Sequence, residues 1–174
     1  MREVIYGGAV SLDLFLAGPG EAMDWLRWSD DAAAISAESW KGVDTMLIGR
    51  KTFDYAMREH GGLPVQPGVR TLLFSRTMEE APAGVELVRE DAAAFTAALK
   101  EDAGGDIIVM GGGELGSALI EAGLVDEIGF NVHPLLLGGG VSALRPMARR
   151  VELELIEARP IGEGCVLMRY RVVN

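Results

Sequence analysis

The run Asp106-Ile107-Ile108-Val109-Met110 leads directly into Gly111-Gly112-Gly113-Glu114-Leu115-Gly116. Gly111, Gly113 and Gly116 satisfy the GxGxxG spacing, with an apolar strand pattern before it and a helical pattern after it. Such a turn binds anions: glycines let backbone N–H groups approach a phosphate, and the helix N-terminus adds partial positive charge. The same glycines also suit a purely structural turn, and a dinucleotide fingerprint of the usual kind opens its domain, whereas several elements precede this one. A second junction, Ile48-Gly49-Arg50-Lys51-Thr52-Phe53, places two cations, a hydroxyl and N–H donors where a strand gives way to a helix. Ser75-Arg76 also follows an apolar run. Basic surface pairs are commonly only solvated, so position carries the argument. If the three runs are parallel strands, their ends meet on the sheet edge where open α/β folds bind ligands.

Two acids could serve that edge. Asp13 ends the first apolar segment, and Asp24 lies on a helical stretch after Gly18-Pro19-Gly20. Each reads either as an acid that orients substrate or supplies a proton, or as a cap. Trp25, Trp28 and Trp40 read as core or pocket wall, with stacking on a flat ring open to Trp25. His133, before Pro134, reads as stabilising a turn. One cysteine, Cys165, and two histidines, His60 and His133, exclude an internal disulfide and make a metal site an unexpected feature.

The elements that must position these residues alternate with breakers along the whole chain. Residues 4–10 read as a strand and 14–17 as a short apolar stretch. Residues 21–40 read as helical, either one helix or two broken near Ser29. Residues 45–48 form a buried strand, 51–58 a short helix and 60–64 a loop. Strands follow at 69–75 and 85–88, an amphipathic helix at 91–100 with Ala92, Phe95 and Leu99 on one face, and a strand at 106–110. A helix built on Leu115, Ala118, Leu119 and Ala122 precedes a strand at 126–132 and a loop at 134–140. Residues 151–156 and 166–172 then read as a hairpin, with Glu152 and Glu154 facing Arg169 and Arg171. This order predicts one α/β domain over residues 1–174, with a mostly parallel central sheet, flanking helices and a C-terminal antiparallel hairpin.

The 174 residues carry 26 acidic and 16 basic side chains, net −10, and 49% are hydrophobic. That composition excludes disorder, and no apolar run reaches the ~20 residues a membrane span needs. An acidic chain repels nucleic acid and anionic membrane, so neither is expected as a partner. The start of the chain lacks the charge pattern of a signal peptide, which predicts a cytoplasmic protein. Glycine, 23 residues, is about twice its usual share and must sit in turns or ligand loops.

In this order the motifs resemble the dihydrofolate reductase-like fold, and more closely the riboflavin-pathway pyrimidine reductase domain and its small stand-alone relatives. The resemblance rests on Ser11-Leu12-Asp13, Ala17-Gly18-Pro19, Met23-Asp24-Trp25-Leu26, Gly49-Arg50-Lys51-Thr52-Phe53 and Phe74-Ser75-Arg76. It continues through Val109 to Leu115, Leu124-Val125-Asp126-Glu127, and His133 to Gly140, nearly the full chain. It implies NADPH as cofactor. Arg50, Ser75 and Arg76 would meet the 2′-phosphate, with Lys51 and Thr52 on the pyrophosphate beside Gly49. Gly111, Gly112, Gly113, Glu114 and Leu115 would hold the phosphates from the other side, with a cis peptide at Gly111-Gly112. Ala9 and Val10 would lie beneath the nicotinamide, covered by residues 16–20. By the same likeness Asp24 is the first candidate for the catalytic acid, with Asp13 second from its place at the end of the first apolar segment. The relatives' habit implies a homodimer, and the strand edges left at the C-terminal hairpin point to that region as its interface. Leu14 stands where the stand-alone relatives often have glycine, and 174 residues leave no room for a deaminase domain. Nor is there an evident set of arginines for a ribosyl phosphate. The expected function is NADPH-dependent reduction of a small heterocycle, pterin- or aminopyrimidine-like. The alternative is an NADPH-binding regulatory or sensor protein without turnover.

Overall fold

A computed structural model describes residues 1–63 and 67–173. Its strands are β1 (Val4–Ser11), β2 (Phe15–Ala17), β3 (Val43–Gly49), β4 (Arg70–Phe74), β5 (Val85–Val88), β6 (Asp106–Met110), β7 (Glu127–His133), β8 (Val141–Ser142), β9 (Glu152–Ile161) and β10 (Cys165–Val173). The helices are α1 (Asp30–Ser39), α2 (Arg50–His60), α3 (Ala92–Glu101) and α4 (Gly113–Glu121). Eight strands form one sheet in the order β5-β4-β3-β6-β1-β7-β10-β9. The first six are parallel, while β10 runs antiparallel to β7 and to β9. This is the dihydrofolate reductase-like α/β architecture that the motif order predicts.

Parallel strands need crossovers, and the helices supply them by covering the sheet's faces. On one face Leu99 of α3 and Leu115, Leu119 and Ile120 of α4 pack with Tyr6, Val10, Val109, Ile128 and Phe130. On the other, Phe53 of α2 packs with Ile48 and Leu73, and Ile35 of α1 with Ile161, Cys165 and Leu167. Arg171 stands opposite Glu154, as the charge pattern predicts. A register shift between Arg169 and Tyr170 brings Arg169 opposite Glu157 instead. The strand β9 also runs on through Pro160, which an edge strand tolerates because its N–H would face solvent.

Of residues 21–40 only the second half is an α-helix: α1 begins directly after Ser29, where the sequence offered a break, and the Ser29 hydroxyl accepts the Ala32 N–H. Before it the chain makes a turn, with Leu26 N–H on the Met23 carbonyl, and Trp28 is 71% exposed rather than core. Pro64 of the expected 60–64 loop lies outside the described residues. No helix among those described is long and apolar enough to cross a membrane.

Candidate active site

β3 and β6 are parallel neighbours, and Ile48 stands beside Met110 at their C-terminal ends. Each strand turns directly into a helix, so the N-termini of α2 and α4 open side by side. The turn before α4 is built from consecutive left-handed residues, Gly111 at φ 64° and Gly112 at φ 66°. The expected cis peptide is absent: no described peptide bond is cis. Two positive φ values achieve the reversal, a conformation glycine adopts without steric cost. Packing demands glycine here as well. A Cβ on Gly111 would come within 2.5 Å of Thr52 Cγ2, and one on Gly116 within 2.5 Å of the Tyr6 ring.

The cations are deployed unequally. Arg50 pairs with Asp54 one turn along α2, at 2.7 Å. Lys51 reaches Glu114 at 3.0 Å, and Arg145 reaches the same carboxylate at 3.1 Å. The Lys51 hydrogen bond, and the charges of Lys51 and Arg145, hold the Glu114 carboxyl below the usual range against partial desolvation. Leu115 is buried in the core, so only its backbone faces the turn. At the end of β4 the Ser75 hydroxyl accepts N–H groups of Thr77 and Met78 at 3.4 and 3.1 Å. Arg76 is exposed and makes no ion pair among the described residues. It lines a cavity of about 170 Å³ with Phe74, Ser75, Val88, Glu90 and Ala92.

β1 outruns β6. Gly7 is its last residue paired with β6, at Met110, whereas Gly8, Ala9, Val10 and Ser11 pair only with β7. One backbone edge of a central strand is therefore open, a site for an amide that hydrogen bonds like an added strand. Gly8 is exposed there, and a Cβ on it would find only Leu16 Cδ2 at 3.8 Å. Ala9 is half-buried, and Val10 is fully buried and belongs to the core cluster. The glycines in residues 4–10 were the available signal for this gap, since glycine within a strand marks close approach of another group.

The two acids differ. Asp13 accepts hydrogen bonds from Ser11 Oγ at 2.6 Å, Leu137 N–H at 3.1 Å and Gly138 N–H at 2.8 Å. The Ser11 hydroxyl chiefly, with these amides, lowers its pKa, so the carboxylate ties β1 to the 134–140 loop. Asp24 is exposed on the turn before α1 rather than at a helix start. Beside it Trp25 packs edge-on against the buried His133 ring, centroids 5.1 Å apart, and donates its indole N–H to the Ala22 carbonyl. His133 faces the carbonyls of Asn131 and Arg27, and so pins this turn to β7.

Residues 2–167 match the model of the RibD C-terminal domain family. The chain is 28% identical to the uncharacterized protein YyaP of Bacillus subtilis (strain 168), over 97% of this chain and 94% of that one. It superposes on a putative riboflavin biosynthesis protein from Shewanella sp. PV-4 with a TM-score of 0.87 at 22% identity, covering 99% and 100% of the two chains. The fold also matches dihydrofolate reductase from Enterococcus faecalis, a complex with NADP(H), with a TM-score of 0.72 at 15% identity, covering 99% and 97%.

Proposed function

The chain belongs to the RibD C-terminal domain family, and from that premise we propose that it is an NADPH-dependent reductase of a small heterocycle, pterin- or aminopyrimidine-like. One observation carries the reading. The two helix N-termini, the Ser75-Arg76 corner and the open edge of β1 lie along one end of the sheet, an extended donor array suited to a dinucleotide. The backbone around Gly49, Thr52, Gly111, Gly112 and Gly113 would hold the pyrophosphate, with Lys51 above it. Arg76 would meet the 2′-phosphate, supported by Ser75 and Arg50. Ala9 would offer its free backbone N–H and C=O to the carboxamide, beside Val10, whose backbone groups face β7. When bound, the nicotinamide supplies a hydride to the acceptor.

The protein's part is orientation and exclusion of water. Asp13 is held ionised by three donors, so the substrate-facing acid in this reading is Asp24, next to Trp25 on the tethered turn. Because Asp24 is exposed, substrate must cover it before it can act as a proton source. NADPH oxidation followed by absorbance with pterins, pyrimidines, quinones and nitro compounds tests the activity. Asp24→Asn is expected to reduce turnover by ~10²-fold and leave NADPH affinity unchanged. NADPH binding with no acceptor turned over would favour the sensor reading instead, which the exposure of Asp24 keeps in play. We also assign a homodimer through the β9–β10 hairpin, where Leu153, Leu155, Ile156 and Val173 are each at least 40% exposed. Light scattering of wild type and Leu155→Lys checks this, with a monomeric wild type the contrary result. A cytoplasmic location suits this cofactor.

A further inference from the structure

The central strands β6, β1 and β7 bury one face and leave the other partly open. Tyr6, Val109, Ile128 and Phe130 are buried toward α3 and α4, whereas Gly7, Ala9, Ile108, Met110, Gly129 and Asn131 are only half-buried. The open strip lies between α2, packed near Ile48, and α1, packed near Leu167. Its floor is nearly featureless because β1 and β7 approach closely: a Cβ on Gly7 would lie 1.9 Å from the Gly129 carbonyl oxygen. Among the polar side chains of β7 on this face, Glu127 pairs with Arg169 and His133 faces backbone carbonyls, which leaves Asn131. Asn131 stands between Ala9 on β1 and Leu167 on β10, with Gly129 and His133 as its same-face neighbours along β7.

The Asn131 side-chain oxygen is buried and has no hydrogen-bond partner among the described residues. Buried polar atoms are nearly always satisfied, so an exception calls for a reason. The other two exceptions are threonine hydroxyls, Thr71 on β4 and Thr96 on α3, and only Asn131 lies on the strip beside Ala9. Asparagine is also disfavoured in strands. Neither packing nor strand propensity accounts for it.

We propose that Asn131 is the substrate-reading residue of this site, pairing through its carboxamide with an adjacent N–H and C=O on the edge of a flat heterocycle. This rests on the reductase reading and adds the feature by which substrate is selected. A carboxamide offers an acceptor and a donor in one plane, and a lactam edge is its complement. The match survives turning the amide over, because the ring can present the same pair in the opposite sense. A site built around such a pair rejects rings that lack it, since its own polar atoms are then left unpaired.

The test uses the full chain with NADPH present and two probes, uracil and 1,3-dimethyluracil, which lacks both ring N–H groups. Binding is read by tryptophan emission, and thermal melting is recorded for each variant. Wild type is expected to hold uracil at least about tenfold tighter than its dimethyl analogue. Asn131→Leu, similar in shape, should lose that preference, keep its NADPH affinity and melt no lower than wild type. Asn131→Ser provides a smaller alternative should leucine disturb folding, and it should lose the preference too. Preference retained in both variants, or absent from wild type while NADPH binds, overturns the role of Asn131 alone. Failure of wild type to bind NADPH overturns the reductase reading and this inference with it.

Discussion

At the N-terminal ends of the parallel strands two cations, Arg2 and Lys100, are buried and partnered, whereas at the C-terminal ends Lys51 and Arg76 are exposed. At the first end Arg2, 6% exposed, donates to the Gly105 carbonyl and the Thr45 hydroxyl, both at 2.6 Å, and pairs with Asp44. Lys100, 7% exposed, donates to the Leu124 carbonyl at 2.9 Å and pairs with Asp126, which also accepts the Val4 N–H at 2.7 Å. These bonds join strands and a helix that are far apart in sequence. At the second end Gly111 and Gly112 hold unusual dihedrals, Arg76 has no ionic partner among the described residues, and β1 runs on past β6. The difference sets cohesion apart from the proposed function: one end ties strands and a helix together through buried cations, and the other carries exposed cations, Arg76 among them, that the reductase reading assigns to a ligand.

That contrast breaks if either end behaves like the other. The largest effect is expected for Lys100→Met, which leaves Asp126 without its counter-charge. Loss of one partner from a buried pair costs roughly 3–5 kcal/mol, and the partial exposure of Asp126 puts this pair at or below the lower end of that range. Urea titration should show it, with NADPH affinity of the folded fraction unchanged. A comparable loss of cofactor affinity would mean the two ends are not separable. Arg76→Ala should do the reverse. One charge-assisted contact is worth ~1.5–3 kcal/mol, so NADPH affinity should fall about 10- to 100-fold while NADH affinity and the melting temperature hold steady. Equal loss for both cofactors would remove Arg76 from the 2′-phosphate site. Arg50→Ala should cost less, because Asp54 already engages that guanidinium.

A smaller effect follows from the carboxylates that each end holds below their usual range. Desolvation opposes this at Asp44, but the Gly105 N–H, the Thr45 hydroxyl and the Arg2 charge outweigh it. The folded pKa is depressed, so the stabilisation is complete above the unfolded value of ~3.9 and lost as pH falls through the folded one. Asp13 follows the same sign. Asp44→Asn should therefore flatten the acid limb of a pH-denaturation curve. Asp13→Asn is expected to change global stability least and act on hydrogen exchange at the Leu137 and Gly138 amides. An acid limb left intact by Asp44→Asn would show that the buried end is not held by this network.

The fold was legible because it rests on patterns that survive without coordinates. Apolar runs ending at Gly49, Ser75 and Met110 read as parallel strands, and the paired acids and arginines of the last two strands read as a hairpin. The phosphate-site candidates were legible for the same reason, since strand-end position and residue type are both local. The 22–29 turn was not, because Met23 and Leu26 read as continuous with the alanines and acids that follow Ser29, whereas its actual shape goes with Trp25 docking on His133. The pairing of Arg50 with Asp54, and the freedom of Arg76, are not visible in composition either.

What the sequence determined by itself is therefore the set of elements, their order, and the chemistry available where strands end: periodicity and glycine placement act over a few residues. What only the tertiary structure decided is which groups remain free. Asp13 is consumed by amides more than 120 residues away, at Leu137 and Gly138, and Glu114 by Lys51 and Arg145. The Asn131 side-chain oxygen has no partner among the described residues, with Ala9 and Leu167 as its neighbours across the sheet. A side chain's availability depends on what long-range packing brings beside it, and no local pattern encodes that.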